Sequence, residues 1–530
     1  MAILLFYFYA ASLSSFFTTF RRAAMFRISA VLISLLVISS VAAAAQQPQS
    51  PPPGVERIII DAHAAGAPFP HFWEQMFGSG HAILALRESY RDDVRAVKQV
   101  ADFQYVRFHG ILDDEVGVYS ENEDDCNKPV YNFAYLDQIY DGLLKNGVRP
   151  FVEISFMPKK LAFNPDALHP FWYKQNVSPP KSLAKWDELM THFAQHLVDR
   201  YGIDEVSKWY FEVWNEPNID FWNGIPRQKS YFELYEHTAR DLKRVSPRLR
   251  VGGPATAAAS WITPFLQFAA ANHVPVDFVS THGYADDTVE NLFGTNEDIP
   301  MDERVCRAVA KVRNEIHSSA SPSLPLFWTE WNVQGMDESR DTIFVGPALA
   351  NTVRQCDGMV DMLSFWTFSD VFEEGGVIPK PFEGHFGVRA KGGINKPSYY
   401  GYALLHELGN QRLANPSKDV IVTKTPDGGL VIAAWNLVDP GEHGTTRTME
   451  LDFRGISPGA RVTVQRVDND HSNVLRNYAA MGKPLDPTPA QVDELNRETS
   501  LAPPEQLSVQ NNALRLTLTP NALFLVKVAP

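Results

Sequence analysis

Residues 209–218 of this chain are Trp209-Tyr210-Phe211-Glu212-Val213-Trp214-Asn215-Glu216-Pro217-Asn218. Aromatic and branched side chains run without a turn residue up to Trp214, which is typical of a buried strand. Pro217 lacks a backbone donor and ends that strand. We therefore expect the ionisable carboxyl of Glu216 at the point where the strand stops and a loop opens.

A second stretch has the same design: Leu326-Phe327-Trp328-Thr329-Glu330-Trp331-Asn332. Taken alone, each glutamate is also compatible with a structural role, Glu216 at a helix N-terminus and Glu330 in a buried ion pair. The hypothesis of a catalytic pair fails only if both glutamates have these structural roles. The two stretches therefore favour chemistry carried by paired carboxylates.

Strand patterns alternate with helical patterns from about residue 72 to residue 408. The predicted strands are Phe72–Phe77, Gln104–His109, Pro150–Ser155, the residues leading to Trp214, Leu249–Gly252, Val276–His282, Leu324–Glu330 and Met362–Thr367. Eight such strand–helix units predict an α/β fold, a (β/α)8 barrel of the TIM type. The two glutamates then follow the fourth and seventh strands and face each other across the barrel mouth.

The pattern changes after about Asp419 to short apolar runs between Pro, Gly and Asp turns, which predicts an antiparallel β-sandwich. A strand at Val55–Asp61 comes too early for the barrel and is expected to join the sandwich. The predicted organisation is a leader at residues 1–45, a linker at 46–54, an N-terminal strand region at 55–70, the barrel at 71–412 and the β-sandwich at 413–530.

The N-terminal leader predicts export. Met25 opens an apolar run from Ile28 to Ala42, and Ala43-Ala44-Ala45 suits cleavage by a signal peptidase. A start at Met25 fits this leader better than a start at Met1, because residues 1–20 lack a basic region. An uncleaved membrane anchor is the alternative. The Pro/Gln-rich linker that follows favours cleavage, and hence a periplasmic or secreted protein.

Composition argues against several kinds of partner. The 530 residues carry a formal net charge of −14, which disfavours nucleic acid and anionic membrane surfaces, and no stable membrane partner is expected. The cysteines Cys126, Cys306 and Cys356 match no metal-ligand pattern, so at most one disulfide and no structural metal are predicted. Which cysteines pair, and the oligomeric state, stay open.

In a barrel of this type, functional side chains collect at the C-terminal ends of the strands. Those ends carry His109, Asn215, Glu216, His282, Tyr284, Glu330, Trp366, Phe372 and Glu374. Two glutamates in an aromatic mouth suit glycosidic bond cleavage, because one carboxyl must donate a proton while the other is ionised. A metal site from the two histidines and a glutamate lacks an HxH or HxxxH spacing, so no metal and no cofactor are predicted.

The chain resembles glycoside hydrolase family 39, which contains β-xylosidases and α-L-iduronidases. The resemblance lies in Phe211–Asn218, Arg107-Phe108-His109-Gly110, Phe151-Val152-Glu153, Phe156–Lys160, Thr281–Tyr284, Thr329–Asn332 and Trp366–Asp370. It implies a retaining hydrolase in which Glu216 is the acid/base and Glu330 the nucleophile, with carboxyls about 5–5.5 Å apart. It also implies that Asn215 hydrogen-bonds the 2-hydroxyl of the sugar.

The other predicted substrate-binding residues are His109, His282, Tyr284, Trp366, Phe156, Phe372 and Glu374. The histidines are expected to bond ring hydroxyls or to orient a glutamate, and Tyr284 to hold Glu330 ionised. Trp366 is expected to form a floor beneath the sugar ring. Phe156, Phe372 and Glu374 are expected to shape the sugar-binding subsite. A plain rim position for the histidines and a core position for Trp366 are the alternatives.

We expect an exo-acting β-xylosidase that releases xylose from xylo-oligosaccharides. Asp370, Glu373 and Glu374 would repel a uronate, whereas Lys380 and Arg389 keep an iduronidase-like specificity open. β-Glucosidase and endo-polysaccharide hydrolase activities are further specificities of the same mechanism. A non-catalytic carbohydrate-binding protein is the alternative of another class, and the presence of both glutamates argues against it.

Overall fold

The computed structural model of this protein describes residues 54–125, 128–333, 338–457 and 459–530. The predicted leader, the predicted linker up to residue 53 and Cys126 lie outside these ranges. Among the helices within them, we find none that is both long enough and apolar enough to span a bilayer.

The strands of the described chain are β1 (Val55–Asp61), β2 (Ala67–Pro68), β3 (Met76–His81), β4 (Tyr105–His109), β5 (Tyr119–Asn122), β6 (Lys128–Tyr131), β7 (Arg149–Ile154), β8 (Tyr210–Val213), β9 (Arg250–Thr256), β10 (Phe278–His282), β11 (Leu326–Trp331), β12 (Met362–Phe365), β13 (Arg389–Ala390), β14 (Ile394–Asn395), β15 (Gln411–Leu413), β16 (Val420–Lys424), β17 (Leu430–Trp435), β18 (Arg447–Arg454), β19 (Val462–Val467), β20 (Glu505–Leu507), β21 (Ala513–Leu518) and β22 (Leu523–Val528). The helices are α1 (Glu88–Val97), α2 (Ala134–Lys145), α3 (Leu183–Tyr201), α4 (Ile203–Val206), α5 (Arg227–Val245), α6 (Ile262–Asn272), α7 (Val289–Phe293), α8 (Met301–His317), α9 (Val345–Cys356), α10 (Pro397–His406), α11 (Val474–Ala480) and α12 (Pro489–Glu498).

Parallel strands close a barrel in the order β3, β4, β7, β8, β9, β10, β11, β12 within the described residues. Neighbours in this ring follow one another along the chain, as successive right-handed βα units require. The predicted (β/α)8 barrel is confirmed. Glu216 follows β8 and Glu330 lies in β11, three strands further round the ring.

The barrel interior is built in layers, because successive side chains of a strand point to opposite faces. Its N-terminal end is filled by the apolar side chains of Met76, Phe151, Phe278, Phe327 and Met362. Two residues after Tyr105, Phe151 and Tyr210 come Arg107, Glu153 and Glu212, whose side chains are fully buried and ion-paired. A charged layer thus lies between an apolar floor and the C-terminal mouth.

The predicted sandwich is also confirmed. One sheet has the order β1-β18-β21 and the other β2-β15-β16-β17-β22-β19-β20. Ile60, Val422, Ile432, Leu451 and Val526 belong to the apolar core that their facing sides share. β1 pairs in parallel with β18, with Val55 opposite Thr448, so the early strand joins the sandwich as predicted.

The first barrel strand is placed wrongly by the sequence pattern. The prediction is Phe72–Phe77, whereas β3 starts at Met76 and runs to His81. It contains Gly78 and Gly80, which weaken a strand pattern. A Cβ at Gly78 would clash with the Trp366 ring, and a Cβ at Gly80 with the backbone of Phe372. The glycines therefore let the loop after β12 pack against β3.

Cys306 in α8 and Cys356 in α9 form a disulfide. The sequence allows one disulfide and leaves its partners open. This bond joins two neighbouring helices on the outside of the barrel across 50 residues of chain.

Candidate active site

Glu216 reaches the barrel mouth because the backbone turns sharply after β8. Trp214 and Glu216 have left-handed φ angles of 73° and 42°, which cost L-residues roughly 1–2 kcal/mol each. The Trp214 indole N–H donates to the carbonyl of Phe221 at 2.7 Å. The Glu216 amide donates to the carbonyl of Ala255 at 2.8 Å. These contacts hold a strained turn that aims the carboxyl inward.

The two glutamates lie side by side at this mouth. One carboxylate oxygen of Glu216, one of Glu330 and a ring nitrogen of His282 all lie within 4.8 Å of one another. Retaining glycosidases have carboxyls about 5–5.5 Å apart, whereas inverting enzymes separate them by about 6.5–9.5 Å to admit a water. The observed separation suits direct attack by one carboxylate.

Both oxygens of Glu330 accept hydrogen bonds from side chains at the barrel mouth. Arg107 Nη1 donates to Oε1 at 2.7 Å, and the Tyr284 hydroxyl donates to Oε2 at 2.6 Å. Such donors fix the orientation of a carboxylate. The arrangement fits a nucleophile, with Tyr284 in contact as predicted.

Glu216 has a different environment. Burial raises its pKa to about 7, although the positive charges of His109 and Arg107 oppose the shift. Its Oε1 lies 2.9 Å from Nδ1 of His282, whose pKa burial lowers to about 4. A neutral imidazole therefore accompanies a carboxyl that is protonated up to about neutral pH. Two carboxyls with opposite environments can take the acid and nucleophile roles.

Arg107 organises the charged layer beneath the pair. Its guanidinium donates to Glu212 at 2.5 Å and to Asn215 Oδ1 at 2.9 Å, and pairs with Glu153 at 2.8 Å. Because Asn215 accepts through Oδ1, its amide N–H groups are directed away from Arg107. Sequence reasoning did not assign Arg107 to the site. Its signal is an arginine inside the apolar strand Tyr105-Val106-Arg107-Phe108-His109, since a buried charge requires partners.

His109 is held as a cation in this layer. Burial alone would lower its pKa, but the Glu153 carboxylate at 2.7 Å from Nδ1 raises the pKa to about 10. Nε2 of His109 lies 3.6 Å from the Glu374 carboxylate, which therefore belongs to the same mouth. The imidazole is thus placed to donate rather than to accept.

The aromatic residues form a wall beside the glutamates. The Trp366 ring is 4.8 Å from the His109 ring and 5.9 Å from the Phe372 ring. Phe156 is fully buried and lies 6.0 Å from His109, on which it packs. The structure thus brings the predicted site residues to one mouth and places Phe156 in the packing around it. Their individual roles stay predictions.

Two groups at the mouth have metal-ligating atoms within 4.8 Å of one another: His109, Glu153 and Glu330, and Glu216, His282 and Glu330. In both groups Glu330 already accepts from Arg107. The guanidinium thus already supplies a positive charge to the carboxylate that both groups share. A third such group lies elsewhere in the barrel and is described below.

Comparisons with known proteins place these residues in context. The sequence model of the family described as Glycosyl hydrolases family 39 matches residues 56–508 of this chain. A β-xylosidase of Geobacillus stearothermophilus is 37% identical over 473 residues, which cover 87% of this chain and 93% of that protein. The crystal structure of a monomeric β-xylosidase from Caulobacter crescentus CB15 superimposes with a TM-score of 0.81 at 32% identity, covering 90% of this chain and 100% of the other.

The similarity to α-L-iduronidases is more restricted. The mouse enzyme is 29% identical over 152 residues, which cover 28% of this chain and 22% of that protein. The similarity to β-xylosidases therefore extends over barrel and sandwich, whereas that to the mouse iduronidase covers about a quarter of either chain.

Proposed function

Because this chain belongs to family 39 of the glycosyl hydrolases, we propose that it is a retaining exo-β-xylosidase that releases xylose from xylo-oligosaccharides. The observation that carries this proposal is the short separation of Glu216 and Glu330 at the barrel mouth. The printed activity of the relatives that match most of the chain supports the choice of sugar.

In the first step, a Glu330 oxygen attacks the anomeric carbon while Glu216 donates its proton to the departing glycosidic oxygen. Arg107 and Tyr284 hold the attacking carboxylate in place. The raised pKa of Glu216 keeps its proton available at about neutral pH. The products are a covalent xylosyl–Glu330 ester, the free alcohol and an ionised Glu216.

In the second step, Glu216 acts as a base. It removes a proton from water, the water oxygen attacks the anomeric carbon, and the Glu330–carbon bond breaks. Asn215 donates an amide N–H to the sugar 2-hydroxyl region, where hydrogen bonds strengthen as oxocarbenium character develops. Two inversions leave the anomeric configuration of the xylose unchanged.

The surroundings of the mouth support an uncharged sugar and action at a chain end. Glu374 lies beside His109 and has a pKa raised by burial, so the His109 cation already faces a carboxyl group of this chain. The amide of Trp172 donates to the carbonyl of Glu374 at 2.8 Å. Two loops thus meet across one side of the mouth, which favours a pocket over an open groove.

The catalytic assignment is tested by substituting each glutamate. Glu330→Gln removes the nucleophile and is expected to abolish turnover. In Glu216→Ala, the rate is expected to fall about 10²–10⁴-fold for substrates with poor leaving groups. Hydrolysis of aryl xylosides with good leaving groups should be retained, and added azide should restore part of the lost rate. Full turnover by Glu330→Gln would exclude the covalent step.

Specificity is tested with a panel of 4-nitrophenyl glycosides. The proposal requires β-D-xyloside as the preferred substrate, and NMR spectroscopy must show β-xylose as the first product. A preference for α-L-iduronide or β-glucoside would contradict the proposed substrate and indicate another specificity with the same mechanism. Absence of hydrolysis of every glycoside would favour a carbohydrate-binding protein.

The proposal includes export with cleavage after the predicted leader. The Cys306–Cys356 disulfide supports it, because disulfides persist in oxidising compartments. N-terminal sequencing of the mature protein from its own cells tests it. A terminus near Gln46 in the periplasm or medium is expected, and an intact leader on a membrane-bound protein would contradict cleavage.

A further inference from the structure

A group of titratable side chains lies at the end of the barrel opposite to the two glutamates. His71 and Glu74 precede β3, and His406 is the last residue of α10, which runs back along the barrel. One ligating atom of each lies within 4.8 Å of the others. The group joins the start of the barrel to its last helix, and the catalytic mechanism makes no use of it.

Glu74 is the centre of the group. Its side chain is only 3% exposed, and in the described part of the chain its ion pairs are with the two imidazoles. His406 Nδ1 lies 3.0 Å and 2.9 Å from the two carboxylate oxygens. A buried carboxylate is thus served by two imidazoles, which are metal ligands when neutral.

The orientation of His71 points to a cation. Its Nε2 lies 3.0 Å from the carbonyl oxygen of Leu408, which can only accept, so Nε2 carries a proton. The other ring nitrogen, Nδ1, faces Glu74 Oε1 at 2.6 Å, so the two atoms are placed to bind the same cation. Metal-ligating histidines commonly donate their other ring N–H to a backbone carbonyl, as here.

The dimensions and access suit a small ion. Zinc binds histidine nitrogen at about 2.0–2.1 Å and carboxylate oxygen at about 2.0–2.2 Å, so donor atoms around it lie about 3.3 Å apart. The present separations of 2.6–3.0 Å need to widen by less than about 0.7 Å. His71 and His406 also line a surface cavity of about 450 Å³, which admits an ion and a water ligand.

We propose that His71, Glu74 and His406 bind one divalent transition-metal ion of the zinc class. Two histidines, one carboxylate and a water make a four-coordinate set that zinc accepts. Stacking of the His71 ring on Trp73, with centroids 4.5 Å apart, holds one ligand in position. The ion fastens the segment before β3 to the end of α10.

The test uses untagged, chelator-treated protein titrated with Co²⁺ and Zn²⁺. One equivalent of Co²⁺ is expected to give the visible absorption of a four-coordinate site. Saturating Zn²⁺ is expected to raise Tm by about 2–5 °C with kcat changed less than about twofold. His406→Gln, at a half-exposed position, is expected to remove both the absorption and the Tm shift.

Two control variants locate the ion. Glu330→Gln removes a carboxylate shared by both groups at the catalytic mouth and must keep the Co²⁺ absorption. His192→Gln removes an exposed histidine that lies 3.9 Å from Glu188, and it must also keep the absorption. The proposal is overturned if wild type gives no absorption, or if the absorption survives His406→Gln.

Discussion

At the scale of single residues, Arg107 decides how the charges of the site are arranged. Its guanidinium reaches Glu212, Glu330 and Asn215 through three different nitrogens. Removing one member of a buried ion pair leaves an uncompensated charge, which costs about 3–5 kcal/mol. The catalytic carboxylate therefore depends on a residue that need not touch the sugar.

Arg107→Lys tests this arrangement. A lysine keeps the charge but cannot present three nitrogens in a planar fork. We expect kcat to fall by about 10²–10³-fold and Tm to drop clearly. Arg149→Lys is the matched control, because Arg149 pairs with Glu205 at a partly exposed position, where such pairs contribute about 0–1 kcal/mol. Equal losses in both variants would contradict a special role for Arg107.

The pKa of Glu216 predicts the pH profile. The acid must be protonated, and its pKa is about 7, so kcat/KM for substrates with poor leaving groups should fall about tenfold per pH unit above pH 7. Initial rates between pH 4 and pH 9 measure this limb. In Glu216→Gln the limb should vanish along with most of the rate. A limb that persists unchanged in this variant would assign the titration to another group.

The same shift links Glu216 to stability. Its pKa rises from the ordinary 4.5 to about 7 on folding, so the folded state binds the proton more tightly. The associated stabilisation is fully present below pH 4.5 and is lost as the pH rises through 7. Glu216→Gln should therefore raise Tm relative to wild type at pH 8 and much less at pH 4.5. Thermal unfolding at the two pH values measures this difference.

Sequence patterns were sufficient to single out the two glutamates as a pair but not the layer that supports them. Glu216 and Glu330 each end an apolar strand, which a pattern can detect. Arg107 and Glu212 also stand out as charges inside apolar strands, yet their partners are fixed by ring closure of the barrel. Such long-range pairing is absent from any local window.

At the scale of elements, the boundaries of strands and helices follow tertiary contacts. The start of α3 at Leu183 is set locally, because the side chain of the preceding Ser182 accepts from the Lys185 amide. β3 was displaced because its glycines are required by Trp366 and Phe372, which arrive from the loop after β12. A sequence pattern can therefore locate the start of α3, whereas the bounds of β3 depend on residues that are distant in the chain.

The disulfide between α8 and α9 gives a prediction at this scale. Closing a 50-residue loop is expected to contribute about 4 kcal/mol by restricting the unfolded chain. The double variant Cys306→Ser/Cys356→Ser should therefore unfold at a lower urea concentration with kcat little changed. Cys126→Ser is the control for loss of a cysteine that is not part of this bond. If wild type has the same urea midpoint as the double variant, and reductant does not change it, the bond does not form.

At the scale of the whole molecule, β1 ties the start of the described chain to the sandwich. Ile60 is 2% exposed and packs into the sandwich core, whereas the neighbouring Ile59 is 44% exposed. The two residues differ in the face of β1 from which they project. They therefore provide a matched pair of sites on one strand.

Ile60→Ala is expected to destabilise the protein by about 2–5 kcal/mol, and Ile59→Ala by less than about 0.5 kcal/mol. Urea denaturation followed by tryptophan fluorescence measures both. If the two variants unfold alike, β1 does not contribute to the sandwich core. Folded Ile60→Ala should retain activity, because Ile60 packs in the sandwich core and not at the barrel mouth.

The pairing of β1 with β18 also has a consequence for synthesis. Arg57 and Asp452, which bond across the two strands, are 395 residues apart. A ribosome that adds about 5–20 residues per second needs roughly 20–80 s to travel between them. During that time, while the barrel residues are synthesised, Ile58 and Ile60 of the nascent strand lack the sheet that buries them in the folded protein. Synthesis of β18, and not folding of the barrel, therefore sets the earliest moment at which β1 can pair.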